Sequence, residues 1–291
     1  MIRKLKKMLG KYSLKELYSL FDERYGFSLL ERSVCGNWFN PFATFWLNFR
    51  SFPIGQAMKF PIWCYGRPKI YGLSGSMIVE GKVWSGMIRF NQVKYAAPSN
   101  MSVQTEIKNS GTIIFRGQGL IGTGNKIVVG RNAVLDIGKN FKITDMCNVG
   151  CFKKILIGEQ TWIVHRCQVF DSNYHYVANF GRGIVPQYIR PVQIGKGCWI
   201  CNNSTVTGGA VLPDYTIVAS NSLVSKDFSN IPESSMIGGI PAKVIASGFR
   251  KIENSKIENE ILKFYNDDPD GMFKIPSEVT MEEYSFVDKY K

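Results

Sequence analysis

Histidine is scarce in this chain: the 291 residues hold only two, His165 and His175. A catalytic zinc site ordinarily takes three histidines or an equivalent ligand set, so metal-dependent hydrolysis is disfavoured and no metal is expected. No Gly-x-Ser-x-Gly, no Walker loop and no dinucleotide fingerprint after a strand is present, which removes three common catalytic frameworks. No apolar run reaches about 18 residues, so no membrane-spanning helix is expected. The start, MIRKLKKMLGKYSLKELYSLF, is basic, but Lys11, Lys15 and Glu16 break the apolar core that a signal peptide would need. Acidic residues are outnumbered, 23 against 36 Lys+Arg, and the resulting charge of +13 favours an anionic partner or surface. The basic residues are scattered and belong to no nucleic-acid module, so nucleic acid is not an expected partner. Seven cysteines, an odd number, do not make a disulfide framework in a chain this long, and a cytoplasmic location is expected.

What is present is a period of six. From Ile194 to Asp227 the chain reads IGKGCW, ICNNST, VTGGAV, LPDYTI, VASNSL, VSKD. Aliphatic residues lead each unit at Ile194, Ile200, Val206, Leu212, Val218 and Val224, and small residues stand four places later at Cys198, Ser204, Ala210, Thr216 and Ser222. A helix would space apolar residues by three or four, and a half-buried strand would alternate them. A period of six with an aliphatic lead predicts a parallel β-helix, each hexad a short strand plus a turn, three hexads closing a triangular coil. The lead points into a narrow prism, and the fifth residue must be small enough to share it. Cys198 and Cys201 have the spacing of a metal or redox pair, but no second pair accompanies them, and the register reads them as rung packing.

Upstream the register continues less regularly. Leads fall at Ile121 and Ile127, at Val129 and Leu135, then at Ile137, Ile143, Val149 and Ile155; after a two-residue shift come Ile157, Ile163 and Val169, with small Thr161 and Cys167. Such shifts are expected from a bulge at a coil corner. Short glycine-punctuated runs from Ile70 read as irregular opening rungs. The expected organisation is a basic N-terminal helical extension over 1–66, the β-helix over 67–245 and a C-terminal cap or tail over 246–291. In the first part, Ile2, Leu5, Leu9, Tyr12, Leu17 and Leu20 form an amphipathic face. It suits either packing on protein or peripheral contact with an anionic membrane surface, here the inner face. Phe42 to Phe52 reads as a packed helix. In the last part, Ile257, Ile261, Leu262 and Tyr265 suggest a helix over the open sheet edge.

One excursion, 170–191, breaks the hexads: FDSNYHYVANFGRGIVPQYIRP. Long departures from a regular scaffold commonly carry function. His175 lies in it, with Asp171 and Asn173 near enough in sequence to fix its tautomer. An imidazole, with an ordinary pKa of about 6.5, suits a general base at neutral pH. His165, third in the hexad IVHRCQ, reads as structural.

The hexads IGKGCWICNNSTV, the run SLVSKD, the closing GGIPAKVI and the upstream D-x-N-x-H resemble the hexapeptide-repeat acyltransferases, most nearly the maltose/galactoside O-acetyltransferases and relatives that modify capsular and lipopolysaccharide sugars. The resemblance covers roughly 120–245. It implies a left-handed parallel β-helix, a homotrimer with sites between subunits, acetyl-CoA as donor and a sugar or glycan hydroxyl as acceptor. It implies that His175 is the catalytic base, that Trp199 lines the acetyl and acceptor pocket, that Asn202, Ser220, Ser225 and Lys226 line the pantetheine arm, and that Lys243 lies near the nucleotide end. The chain departs from the usual pattern at Asn173, where a second Asp is common, at Cys201, where Gly is common, and at Ser225, where Thr is common. N-acylation of an amino sugar, and a silent β-helical binding scaffold, are the alternatives.

Overall fold

The computed structural model describes residues 36–93 and 103–285, so the amphipathic face expected over residues 2–20 lies outside the described residues. From β1 (Ile62–Cys64) to β20 (Leu223–Val224) the chain winds as a coil in which each strand pairs in parallel with the one three places on. Three sheets result. Face one runs β1-β4 (Ile88–Phe90)-β7 (Gly119–Ile121)-β10 (Phe141–Ile143)-β13 (Trp162–Ile163)-β16 (Trp199–Ile200)-β19 (Ile217–Val218) and is extended by β21 (Ser235–Gly239) and β22 (Ala242–Ser247); face two runs β2 (Lys69–Tyr71)-β5 (Glu106–Asn109)-β8 (Lys126–Val129)-β11 (Asn148–Cys151)-β14 (Gln168–Phe170)-β17 (Thr205–Val206)-β20; face three runs β3 (Ser76–Val79)-β6 (Thr112–Phe115)-β9 (Val134–Ile137)-β12 (Lys154–Ile157)-β15 (Val192–Ile194)-β18 (Val211–Leu212). The glycine-punctuated runs from Ile70 are opening rungs, as expected, and the prism begins with β1 at Ile62.

The hexad leads stack into interior columns. On face one Ile121, Ile143, Ile163, Ile200, Val218 and Ile237 follow one another in register. On face two the column is Ile127, Val149, Val169, Val206 and Val224, and on face three Ile137, Ile157, Ile194 and Leu212. All are buried. The fifth places are buried too, and their hydroxyls are satisfied locally. Ser204 and Ser222 donate to the carbonyl of Ala219, Thr216 to that of Pro213 and Thr161 to that of Gly195. A buried hydroxyl is tolerated at a corner because a turn carbonyl accepts its proton.

The two-residue shifts have a different origin from the corner bulge expected. Ile155 and Ile157 both lie on β12 (Lys154–Ile157), which pairs without a break to β9 (Val134–Ile137) and, from Ile155 on, to β15 (Val192–Ile194). Ile127 and Val129 share β8 (Lys126–Val129), and Leu135 and Ile137 share β9, in the same way. The lower coils are wider, their strands put two residues inward, and alternation along a strand separates inward residues by two.

The N-terminal end is closed by α1 (Pro41–Ser51), where a helix was expected, and the short α2 (Ile54–Ala57). Asn40 caps α1 through its side-chain oxygen, which accepts the Ala43 N–H, and Pro41 sits in the first turn, where no amide is needed. Besides Leu47, the inward face of α1 is polar: Thr44, Asn48 and Ser51 are buried. Asn48 accepts the Ile62 N–H at 3.1 Å and donates to the Ile62 carbonyl at 2.7 Å, and the Thr44 hydroxyl accepts the Cys64 N–H. The helix thus satisfies the open edge of β1, which water would otherwise have to do. Asn48→Leu should orphan both Ile62 groups and cost on the order of 3 kcal/mol, read as a shift in denaturant midpoint. An unchanged midpoint would show the edge to be satisfied in another way.

At the other end β22 folds back antiparallel on β21 and covers the edge of face one. The expected C-terminal helix is α3 (Ser255–Asp267), none of whose residues is buried. No described helix is long and apolar enough to cross a membrane.

Candidate active site

The excursion leaves the prism at the edge between faces two and three, after β14 (Gln168–Phe170) and before β15. Its neck is a narrow antiparallel pair: the Asn173 N–H donates to the Tyr188 carbonyl, the Arg190 N–H donates to the Asp171 carbonyl, and Ser172 bridges to Ile189. Tyr174 packs edge-on against Phe152 and Phe170, with centroids 5.1 and 6.1 Å away, and Tyr176 meets the Tyr188 ring at 4.4 Å. Between these two anchored tyrosines His175 is exposed. A histidine held by its neighbours and left free at its own ring is well placed to meet a substrate from outside.

Asp171 does not reach His175. It is fully buried, and its carboxylate accepts the N–H groups of Phe152, Lys153 and Lys154 at 2.7, 2.7 and 2.8 Å. It is the peg that fixes the root of the excursion to the coil below. Asp171→Ala should leave three amides unpaired, lower the melting temperature by several degrees and loosen the loop. Unchanged stability would show the peg to be dispensable.

The other residues singled out by sequence lie on different parts of the prism. Ser225 and Lys226 follow β20 on the same edge as the excursion, where Lys226 lies exposed 4.9 Å from the Phe228 ring. Asn202 and Ser220 stand exposed on the edge between faces one and two. There the Asn221 N–H donates to the Asn202 carbonyl and the Asn203 N–H to the His165 carbonyl. Asn203 and Asn221 take the left-handed conformation (φ 60 and 58) that these tight corners demand. Trp199 points outward from face one and Lys243 is exposed on β22. One chain therefore divides the set between two edges of the prism, with Trp199 and Lys243 on face one.

His165 has a structural partner. Its Nδ1 meets the carboxylate of the buried Asp145 at 2.5 Å, and its backbone is locked in the corner beneath Asn203. The cysteine pair is equally inert: Cys198 is buried, Cys201 half-buried, and burial pushes their thiols up to about 12 and about 11. Burial therefore keeps both as thiols at neutral pH, as packing residues of the rungs.

Trp162 and Lys251 were not anticipated. Trp162 pairs in register with Trp199 on face one, and the ammonium groups of Lys142 and Lys251 lie 3.3 and 3.9 Å from its ring centroid. Glu253 receives both lysines, at 3.3 and 3.1 Å. Burial holds Lys251 below the usual lysine range, against the opposing pull of Glu253. The signal for Trp162 was available, because it precedes the lead Ile163 as Trp199 precedes Ile200. Lys251 lies beyond the last hexad, where no register marks it.

No protein-family profile matches the chain. Among curated proteins it is similar to WbbJ of Escherichia coli K12, assigned as a lipopolysaccharide biosynthesis O-acetyl transferase: 26% identity over 147 residues, covering 48% of this chain and 74% of that protein. Among solved structures it aligns with the polySia-specific acetyltransferase NeuO at 17% identity and TM-score 0.39, over 71% of this chain and 93% of that one. It also aligns with AntD, an N-acyltransferase from Bacillus cereus solved with a dTDP-amino sugar and coenzyme A, at 16% identity and TM-score 0.37, over 70% and 88%. The strand pairings of this chain, not those two superpositions, carry the fold. Its hexads and three-faced coil make it a hexapeptide-repeat parallel β-helix, and its sequence is similar over about half its length to a protein assigned as an O-acetyl transferase.

Proposed function

We propose that the protein is an acetyl-CoA-dependent O-acetyltransferase acting on a sugar hydroxyl of a surface polysaccharide or its precursor, with His175 as general base. The observation that supports this best is the presentation of His175: exposed, between two packed tyrosines, on a neck pegged by Asp171. In this reading the imidazole takes the acceptor hydroxyl proton as the oxygen attacks the thioester carbonyl. The tetrahedral intermediate collapses with loss of the thiolate, which receives that proton from the imidazolium.

The division of the site residues between two edges supports a homotrimer. A groove between neighbouring copies would set the excursion edge of one, with Ser225 and Lys226, against the Asn202 and Ser220 edge of the next. Trp199 would then close the acetyl end. Coenzyme A is a polyanion, and exposed Lys226 and Lys243 suit its phosphates. Lys226→Ala should weaken acetyl-CoA binding with the fold intact, and unchanged affinity at low salt would remove Lys226 from the site.

The reaction is tested by acceptor-dependent thiol release from acetyl-CoA across a panel of nucleotide sugars and lipid-linked glycans. Release with at least one glycan is expected. Silence across the panel, with coenzyme A binding also absent, would favour a non-catalytic scaffold.

A further inference from the structure

The helix that closes the N-terminal end is amphipathic in an unusual sense. Its polar residues face inward, because Thr44 and Asn48 are committed to the backbone of β1, and Phe42, Phe45 and Trp46 are left outside while Phe49 packs on the core. Phe42 is 84% exposed, Phe45 and Trp46 each 55%, and on the next turn of chain Ile54 and Met58 are 68% and 63% exposed. These side chains have no inward option, since rotating α1 would strip β1 of its hydrogen bonds. Beside them lies an apolar groove of about 620 Å³ between Phe39, Phe42, Phe45, Phe60 and Trp63. The aromatic floor is ordered: Phe45 stacks on Phe49 at 4.5 Å, Phe49 meets Phe60 at 5.7 Å, and Phe39 meets Trp63 at 5.4 Å. Contiguous apolar surface of this kind marks an interaction site.

Charge decides among occupants. From Gly36 to Val79 the sequence has no Asp or Glu, while exposed Arg50 on α1 and Lys59 just after α2 border the aromatic residues. Glu80, which follows the Val79 backbone held by Gln56 of α2, is ion-paired with Arg116, so aromatic and aliphatic side chains rimmed by Arg50 and Lys59 remain complementary to a bilayer with anionic headgroups. We propose that the outer face of α1 and α2 docks the protein on an anionic lipid bilayer, with Phe42, Phe45, Trp46, Ile54 and Met58 entering the headgroup region. The site is distinct from the expected amphipathic face of residues 2–20, and does not depend on the acetyl-transfer reading.

The test is co-sedimentation of the full-length protein with vesicles of phosphatidylethanolamine and phosphatidylglycerol, against phosphatidylcholine vesicles. Preferential binding to the anionic vesicles is expected. The triple variant Phe42→Ser, Phe45→Ser, Trp46→Ser should bind them about tenfold or more weakly, since each lost aromatic removes interfacial contact. Its melting temperature and oligomeric state should be those of the parent. The variant Arg50→Gln, Lys59→Gln, which leaves the aromatics in place, should bind more weakly and with a shallower dependence on salt. Equal partitioning of parent and both variants would overturn the proposal. So would a triple variant that loses subunits or melting temperature while keeping its vesicle binding, which would assign the face to a second copy or to residues 1–35.

Discussion

His175→Ala should lower kcat by about 10² to 10⁴, the range that general-base assistance ordinarily supplies. Acetyl-CoA affinity should change little, because the residues expected to hold the donor lie on the rungs and on β22. The fold should also be preserved. His175 is exposed, and the structure around it is held by others: Asp171 at the root, Asn173 and Tyr188 at the neck, Tyr174 against Phe152. His165→Ala is the contrasting variant. It strands the buried Asp145, whose other carboxylate oxygen already lacks a partner, and so it costs stability by roughly 1–3 kcal/mol. Steady-state kinetics and melting curves of both variants check the assignment. Wild-type turnover in His175→Ala, with His165→Ala folded and inactive, would move the site to the other histidine.

Val206→Asp is the most damaging single change expected in the scaffold. Val206 is wholly buried in the face-two column between Val169 and Val224. A carboxylate there would have aliphatic neighbours above and below, and the prism is too narrow for it to turn toward water. The loss should exceed about 4 kcal/mol, enough to leave a typical domain marginal or unfolded. Thr205→Asp is the control on the same strand, since Thr205 faces outward between Gln168 and Leu223, and should change stability by less than about 1 kcal/mol. Denaturant midpoints compare the two, and an unchanged midpoint for Val206→Asp would reverse the inward assignment of the hexad leads.

The interior of this fold was legible because one geometric constraint repeats. Every lead from Ile194 to Val224 is buried in a column, since six residues make one side of the upper coil and each side needs one aliphatic inward. Below, the period broke at pairs such as Ile155 and Ile157, because wider coils place two inward residues on one strand and a strict count of six cannot show it. The closure at the N-terminal end was legible as a helix but not in its orientation. Phe42 to Phe52 reads as a packed helix without saying which face packs; the edge of β1 demands polar partners, and Thr44 and Asn48 take the inward face. Long-range backbone demand of that kind leaves no local pattern. The site was legible residue by residue where it departs from the repeat, as at His175. The peg role of Asp171 was hidden, because its three amide donors come from the coil below, far back in sequence.

The most direct test of the acetyl-transfer account follows radiolabel from acetyl-CoA into an acceptor glycan, with wild-type protein and His175→Ala side by side. The account predicts acceptor-bound label with the wild type, released by mild alkali as an O-acetyl ester is, and label reduced by at least about a hundredfold with the variant. Alkali-stable label would show an amide and place the acceptor on an amino group, and equal ester labelling by both proteins would contradict the role of His175.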